Sequence, residues 1–259
     1  MWFLILEGLA IGCLLGLTGA GGGILAVPAL MASQGWTVAQ AAPVGLLAIT
    51  FSAGVGMVQG LTHKIVRYRA ALWIALISIP FSHFGVSLSH ALSPVWLTVG
   101  FCIVMLVVAY RIFFNYAHDL EAPLCKVNKA TGRLIWNIKT ASILGGLGIL
   151  TGLLTGLLGV GGGFVIVPAL RKVTNLDMRS IVATSLMIIF LIGLISIGIH
   201  LLEGYTYPVS VTVGFVVSCV VGMLIGRLLS RWVSVFWIQR VFAVSVLGVA
   251  IYLMGSVLS

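Results

Sequence analysis

The chain has 259 residues, of which 61% are hydrophobic and only 7% charged, with a formal net charge of +9. Soluble domains carry about 25% charged residues, and no soluble core absorbs this much apolar surface, so the composition excludes a water-soluble enzyme or binding module. The positive charge would suggest nucleic acid on a soluble domain; without such a domain, Lys and Arg report membrane topology instead, and no nucleic-acid partner is expected.

The chain opens on MWFLILEGLAIG, where Glu7 stands in place of a basic leader region, so this segment reads as retained rather than cleaved. At Gly16–Leu30 comes GLTGAGGGILAVPAL, with Gly19, Gly21, Gly22 and Gly23 in five positions and Pro28 after them. Glycines at this spacing interrupt a helix, so residues 2–33 are expected to form a broken segment. Helices are expected over 38–61, 67–90 and 94–114, each near the roughly 20 residues that a bilayer crossing needs. Thr37 has the chemistry of an N-cap for the first of them. Residues 116–137 read as a polar surface linker. A second broken segment spans 139–172 and contains GLLGVGGGFVIVPAL, with Gly159, Gly161, Gly162, Gly163 and Pro168. Helices over 178–202, 207–229 and 236–257 complete the chain, the first of them capped by Asp177.

The two broken segments are one unit used twice. With an offset of 140 residues, Gly8–Leu30 and Gly148–Leu170 are identical at 13 of 23 positions, which divides the chain into repeats at 1–115 and 138–259. Basic residues give the relative orientation. The loop with Lys64, Arg67 and Arg69 has a mate near 201–208 that holds no Lys or Arg, whereas 89–94, which holds none, has a mate with Arg227, Arg231 and Arg240. Corresponding loops of opposite charge character predict inverted repeats. Inversion needs an odd number of crossings per half. If each broken segment enters and leaves on one side, all 14 Lys and Arg fall on one face. The expectation is therefore an all-α polytopic membrane protein of two inverted-topology repeats. Each holds a re-entrant helical hairpin and three transmembrane helices. Basic loops and linker face the cytoplasm, and the C-terminus lies outside the plasma membrane.

Irregular backbone at membrane depth is tolerated only inside protein or beside a wet cavity, so the two glycine turns should meet near the midplane. Each is followed by a short helix with Pro28 or Pro168 in or near its first turn. The unpaired N–H groups of a helix N-terminus attract anions, and glycine lets a ligand approach the backbone closely. The expected anion site is Gly19, Gly21, Gly22, Gly23, Gly159, Gly161, Gly162 and Gly163, completed by the hydroxyls of Thr184 and Ser185 and, in the first half, Thr50 and Ser52. Gly8, Gly12 and Gly16, with Gly148, Gly152 and Gly156, read instead as a small-residue ladder for helix packing. Ile24 and Phe164 stand where a phosphate loop or a dinucleotide fingerprint would need other residues. The four cysteines lack metal-ligand spacing and the histidines form no HExxH, so no metal, cofactor or catalytic group is expected. The reading is a secondary transporter of a small anion, with a passive anion channel and, less favoured, an intramembrane enzyme as alternatives.

The doubled GxGGGxxxxP motif, Gly19–Pro28 and Gly159–Pro168, with ATSL at Ala183–Leu186, resembles the TauE/SafE family of sulfite exporter-like membrane permeases. The resemblance covers the whole chain. It implies passage of a small sulfur-containing anion such as sulfite, thiosulfate or an organosulfonate, and it carries to the glycines of both turns, Pro28, Pro168, Thr184 and Ser185. Pro43-Val44-Gly45 departs from the family pattern, in which a small residue, Thr and Ser are expected, so the site is expected to be asymmetric. The lipid bilayer is the other implied partner, and the oligomeric state, a homo-oligomer included, is left open.

Overall fold

A computed structural model describes residues 2–19, 22–114, 125, 134–202, 204, 208–230, 232 and 235–258. The described residues are helical almost throughout: α1 (Trp2–Thr18), α2 (Gly23–Gln34), α3 (Val38–Thr62), α4 (Tyr68–Ala91), α5 (Pro94–Phe114), α6 (Ile138–Leu158), α7 (Gly163–Val173), α8 (Met178–Leu202), α9 (Val209–Leu229) and α10 (Val235–Leu258). Among these residues, five helices are long and apolar enough to cross a membrane: α3, α4, α6, α8 and α9. The fold is thus an all-helical, multi-pass membrane architecture.

Local chemistry sets the helix ends. The Thr37 N–H donates to Gln40 Oε1 at 3.1 Å, so α3 opens on a capping box. Asp177 Oδ2 accepts from the Ser180 N–H at 3.1 Å and caps α8. Gly35 closes α2 in the left-handed region at φ +67°. Pro28 and Pro168 lie deeper than the first turn. Each is the sixth residue of its helix, α2 or α7, where proline removes an intrahelical bond and leaves the carbonyl of Ile24 or Phe164 without its i+4 donor.

Packing follows the glycine ladders. A Cβ built on Gly8 would lie 2.7 Å from Ser218 Cβ, one on Gly12 2.9 Å from Cys219 Cα, and one on Gly16 2.9 Å from the Arg227 nitrogen. Both numbers of each pair rise together, so α1 and α9 run in the same direction, backbone against backbone. Gly222 and Gly226 reciprocate against Leu9 and Cys13. The mates do the same: Gly148, Gly152 and Gly156 press on Ile74, Ser78 and Ser82, so α6 and α4 are also parallel. By contrast α3 and its own mate α8 run antiparallel, with Gly54 on Phe190 and Gly60 on Ala183. Every one of these contacts joins one half to the other, so neither half is a separate packing unit.

Within the linker, Cys125 and Leu134 are buried, and Ile135, Trp136 and Asn137, which lead into α6, are exposed. The Cys125 N–H donates to the Val173 carbonyl at 2.8 Å, which ties this point of the linker to the end of α7. Burial pushes the Cys125 thiol up, against weaker opposing effects of the Thr140 hydroxyl and Lys139.

Candidate functional site

The two glycine turns lie against each other. A Cβ on Gly23 would stand 2.9 Å from the Val160 carbonyl oxygen and 3.3 Å from Ile49 Cδ1, and one on Gly161 would stand 3.2 Å from Ile189 Cγ2 and 3.5 Å from Ile49 Cγ2. Ile49 and Ile189 are repeat mates on α3 and α8, so both turns meet over the crossing of these two helices. No side chain caps either α2 or α7, and two helix N-termini from different halves converge there.

Why these positions are glycine differs from residue to residue. Gly159, Gly161 and Gly162 hold φ of +66°, +71° and +60°, and Gly19 holds +75°, a region that costs L-residues about 1 kcal/mol or more. Crowding adds to this. A Cβ on Gly19 would meet Val182 at 2.8 Å, one on its mate Gly159 would meet the Ala42 Cα at 2.6 Å, and one on Gly162 would be 3.0 Å from both Thr151 Cβ and Thr155 Oγ1. Gly22, the mate of Gly162, has an ordinary helical φ of −55° and presses on Leu15. The two turns are thus alike in position and unlike in backbone. Gly21 lies outside the described residues.

The hydroxyls divide between two tasks. Ser185 Oγ shares its proton between the Gly19 carbonyl at 2.9 Å and the Val182 carbonyl at 2.8 Å, so it ties the first turn to α8. Thr184 faces another way: its Oγ1 accepts from the Arg67 N–H at 3.0 Å, at the start of α4. In the first half, Thr50 donates back to the Leu46 carbonyl at 2.6 Å and packs on Gly193. Ser52 is fully buried and its Oγ has no hydrogen-bond partner. It shares a helix face with Ile49 and Gly56, three and four residues away. Of the four hydroxyls, Ser185 is therefore bonded to the first turn, and Thr184 and Thr50 serve neighbouring contacts.

Two pairs of residues escaped the sequence reading. Thr151 and Thr155 on α6 are fully buried and flank Gly162. The signal was available, because they replace Ile11 and Leu15 in an otherwise well-matched ladder. Arg67 and Arg227 carried no local signal. Arg227 Nη1 donates to the Gly56 carbonyl at 3.1 Å across a separation of 171 residues.

The match to the family described as "Sulfite exporter TauE/SafE" runs over residues 4–253. A "Probable membrane transporter protein" of Xylella fastidiosa is 30% identical over 252 residues, covering 95% of this chain and 92% of that protein. The "Probable membrane transporter protein YunE" of Bacillus subtilis is 30% identical over 220 residues, covering 78% of each chain. A probable membrane transporter of Methanocaldococcus jannaschii is 27% identical over 215 residues, covering 80% of this chain and 75% of that protein. No solved structure matches. Two glycine turns that meet in an all-helical membrane fold, and a family match along nearly the whole chain, lead to one conclusion: the chain belongs to the sulfite exporter TauE/SafE family of membrane transporters.

Proposed function

We propose that the protein is a secondary transporter that moves a small sulfur-containing anion, such as sulfite, thiosulfate or an organosulfonate, across the plasma membrane by alternating access. The anion is held where the turns around Gly19–Gly23 and Gly159–Gly163 meet. The observation that carries this reading is the approach of Gly23 to Val160 above Ile49 and Ile189, which brings two uncapped helix N-termini from different halves to one point. Each supplies backbone donors and a partial positive charge worth about 0.3–2 kcal/mol to an anion. Such weak terms suit release as well as binding.

Inverted repeats and re-entrant hairpins belong to the same proposal. A two-fold axis in the membrane plane makes repeat mates run oppositely, as α3 and α8 do. Since α1 is parallel to α9, it starts at the end where α8 finishes and α3 begins. Helix α2 returns to that end, because only residues 35–37 join it to α3. Followed through in the same way, every described Lys and Arg lies at the opposite end, where α3 finishes and α8 begins. On the positive-inside rule that end is cytoplasmic.

The test is thermal stabilisation of the detergent-purified protein by sulfite, thiosulfate, sulfate, sulfoacetate, taurine and acetate. A ligand bound only by the folded state raises stability by mass action, about 2.7 kcal/mol at a hundred times its dissociation constant. We expect a selective shift with one sulfur anion. The shift should vanish in Gly162→Leu and shrink in the milder Thr155→Val, both still reaching the membrane. No shift with any of the six would overturn the assigned cargo. Saturable, concentrative flux in proteoliposomes distinguishes the transporter from a channel.

A further inference from the structure

We propose that the two bodies that move against each other during transport are not the two sequence halves but two units that have exchanged a helix: α1, α2 and α3 with α9, and α6, α7 and α8 with α4. The existence of a cycle rests on the transporter reading; the division into these units rests on how the helices touch.

Inside each unit the seam is backbone on backbone. A Cβ on Gly222 would lie 2.9 Å from the Leu9 Cα and one on Gly226 2.9 Å from the Cys13 Cα, while Gly12 and Gly16 of α1 stand equally close to the α9 backbone. In the second unit a Cβ on Gly152 would lie 2.8 Å from the Ser78 Cα, one on Gly156 2.9 Å from the Val86 nitrogen, and one on Gly85 3.0 Å from the Leu157 nitrogen. Glycine thus stands on both sides of each seam. Sliding such a pair by one residue would put a side chain where only a hydrogen fits, so each pair moves as one body. Helix α3 is held to the first unit. Residues 35–37 join it to α2, a Cβ on Gly45 would lie 3.3 Å from Val27 Cγ2, and Arg227 Nη1 of α9 donates to the Gly56 carbonyl at 3.1 Å. Helix α8 is held to the second unit: residues 174–177 join it to α7, and Thr184 Oγ1 accepts from the Arg67 N–H, at the start of α4, at 3.0 Å. Helices α5 and α10 pack mainly on each other and belong to neither unit.

Between the units the contacts are of another kind. Along α3 and α8 the glycines meet side chains. A Cβ on Gly54 would lie 2.8 Å from the Phe190 ring, one on Gly60 2.9 Å from the Ala183 methyl, and one on Gly193 3.0 Å from Thr50 Cγ2. Side chains can change rotamer while packed helices slide past each other, which is the shear form of domain motion. Both glycine turns lie in this interface. Gly19 of the first unit rests on Val182 of the second, and Gly159 of the second rests on Ala42 of the first; Val182 and Ala42 are repeat mates. The bond from Ser185 to the Gly19 carbonyl, at 2.9 Å, also crosses here, and Ser185 has a second acceptor on its own helix, the Val182 carbonyl at 2.8 Å. That tie can let go without leaving a buried hydroxyl unpaired. An anion held at the turns therefore sits between the two units, as alternating access requires, whereas motion of one half against the other would tear both glycine seams.

Distances between maleimide-linked Gd(III) labels in the full-length protein test the division, with Cys13→Ala in the background and the buried Cys102, Cys125 and Cys219 left in place. Exposed positions carry the labels: Leu6→Cys with Leu228→Cys joins α1 to α9, and Leu6→Cys with Leu72→Cys joins α1 to α4. The first pair spans two halves within one unit, and the second spans two units within one half. We expect the α1–α9 distance to be narrow and unchanged when sulfite is added, and the α1–α4 distance to be broader and to shift. The reverse outcome would mean that the halves move, and it overturns the proposal. So do two equally broad distributions without ligand, or two fixed distances while an anion stabilises the protein. If a label at Leu6 disturbs folding, the mirrored pairs decide: Ile138→Cys with Phe84→Cys within the second unit, and Ile138→Cys with Val209→Cys between units. A bis-maleimide joining Phe51→Cys on α3 to Leu194→Cys on α8, exposed positions one turn from Gly54 and Phe190, should abolish the flux that the same cysteines retain when capped singly. Undiminished flux across that link overturns the proposal as well. Failure of the transporter reading looks different: no anion stabilises the protein and no flux exists before cross-linking, and the proposal then falls with it.

Discussion

Gly12 and Gly146 are both helical glycines in apolar segments, and only their surroundings tell them apart. A Cβ on Gly12 would meet the Cys219 backbone, its Cα at 2.9 Å, whereas one on Gly146 would meet nothing within 4 Å. Gly12→Ala must push α1 off α9, and overpacking of this kind costs about 1–3 kcal/mol. Gly146→Ala should be neutral or stabilising by up to about 1 kcal/mol, the helix-propensity difference. Thermal unfolding in detergent of the two variants side by side measures this, and a similar response would mean that the α1–α9 seam is looser than described. The sequence hinted at the distinction through the four-residue spacing of Gly8, Gly12 and Gly16. It contained nothing about which carbonyl each glycine would face.

At the scale of elements, the broken segments show how one motif acquires two environments. Both turns stop a helix with glycine, start another, and place proline at its sixth residue. Ser185 reaches the Gly19 carbonyl, but its mate Gly45 has no hydroxyl to offer Gly159. The first turn is thus tied to α8 by a bond that the second lacks. Ser185→Ala should cost about 1–2 kcal/mol of stability, since a buried carbonyl loses a donor. We also expect weaker binding at the turns, read by the same anion-dependent thermal shift. Unchanged anion affinity would mean that the bond is packing alone. The helix-breaking glycines and the caps at Thr37 and Asp177 were legible because they act within a few residues. The orientation of Thr184 was not, since its partner Arg67 lies 117 residues away. The missed Thr151 and Thr155 were legible in principle, as the polar members of an otherwise apolar alignment.

For the whole molecule, the decisive relation is between the two halves. Helix α1 lies along α9, α4 along α6, and α3 across α8, so each half supplies the other's packing surface. Cysteines replacing Ala32, in the last turn of α2, and Lys172, at the end of α7, both fall at exposed positions. They are repeat mates, and inverted halves place them on opposite sides of the membrane. We expect a membrane-impermeant thiol reagent to reach Ala32→Cys from outside and Lys172→Cys only after permeabilisation, in a background lacking native cysteines. Labelling from the same side would sink the inverted arrangement and the hairpins with it.

By itself the sequence determined the solvent, the helical class and the doubling. Composition, long apolar runs and an internal match are properties of residues counted or compared along the chain, and they need no partner. It also marked where helices break, because the backbone demand of a glycine turn is local. Only the tertiary structure decided which groups those breaks meet. That Gly23 approaches Val160, that Ser185 rather than Thr184 holds the first turn, and that Arg67 closes on Thr184 follow from helices of opposite halves packing at backbone contact. The physical reason is that in an apolar medium, helix association rests on close fit and hydrogen bonds rather than on burial of hydrophobic surface. Fit is a relation between residues far apart in the chain, which local pattern does not encode.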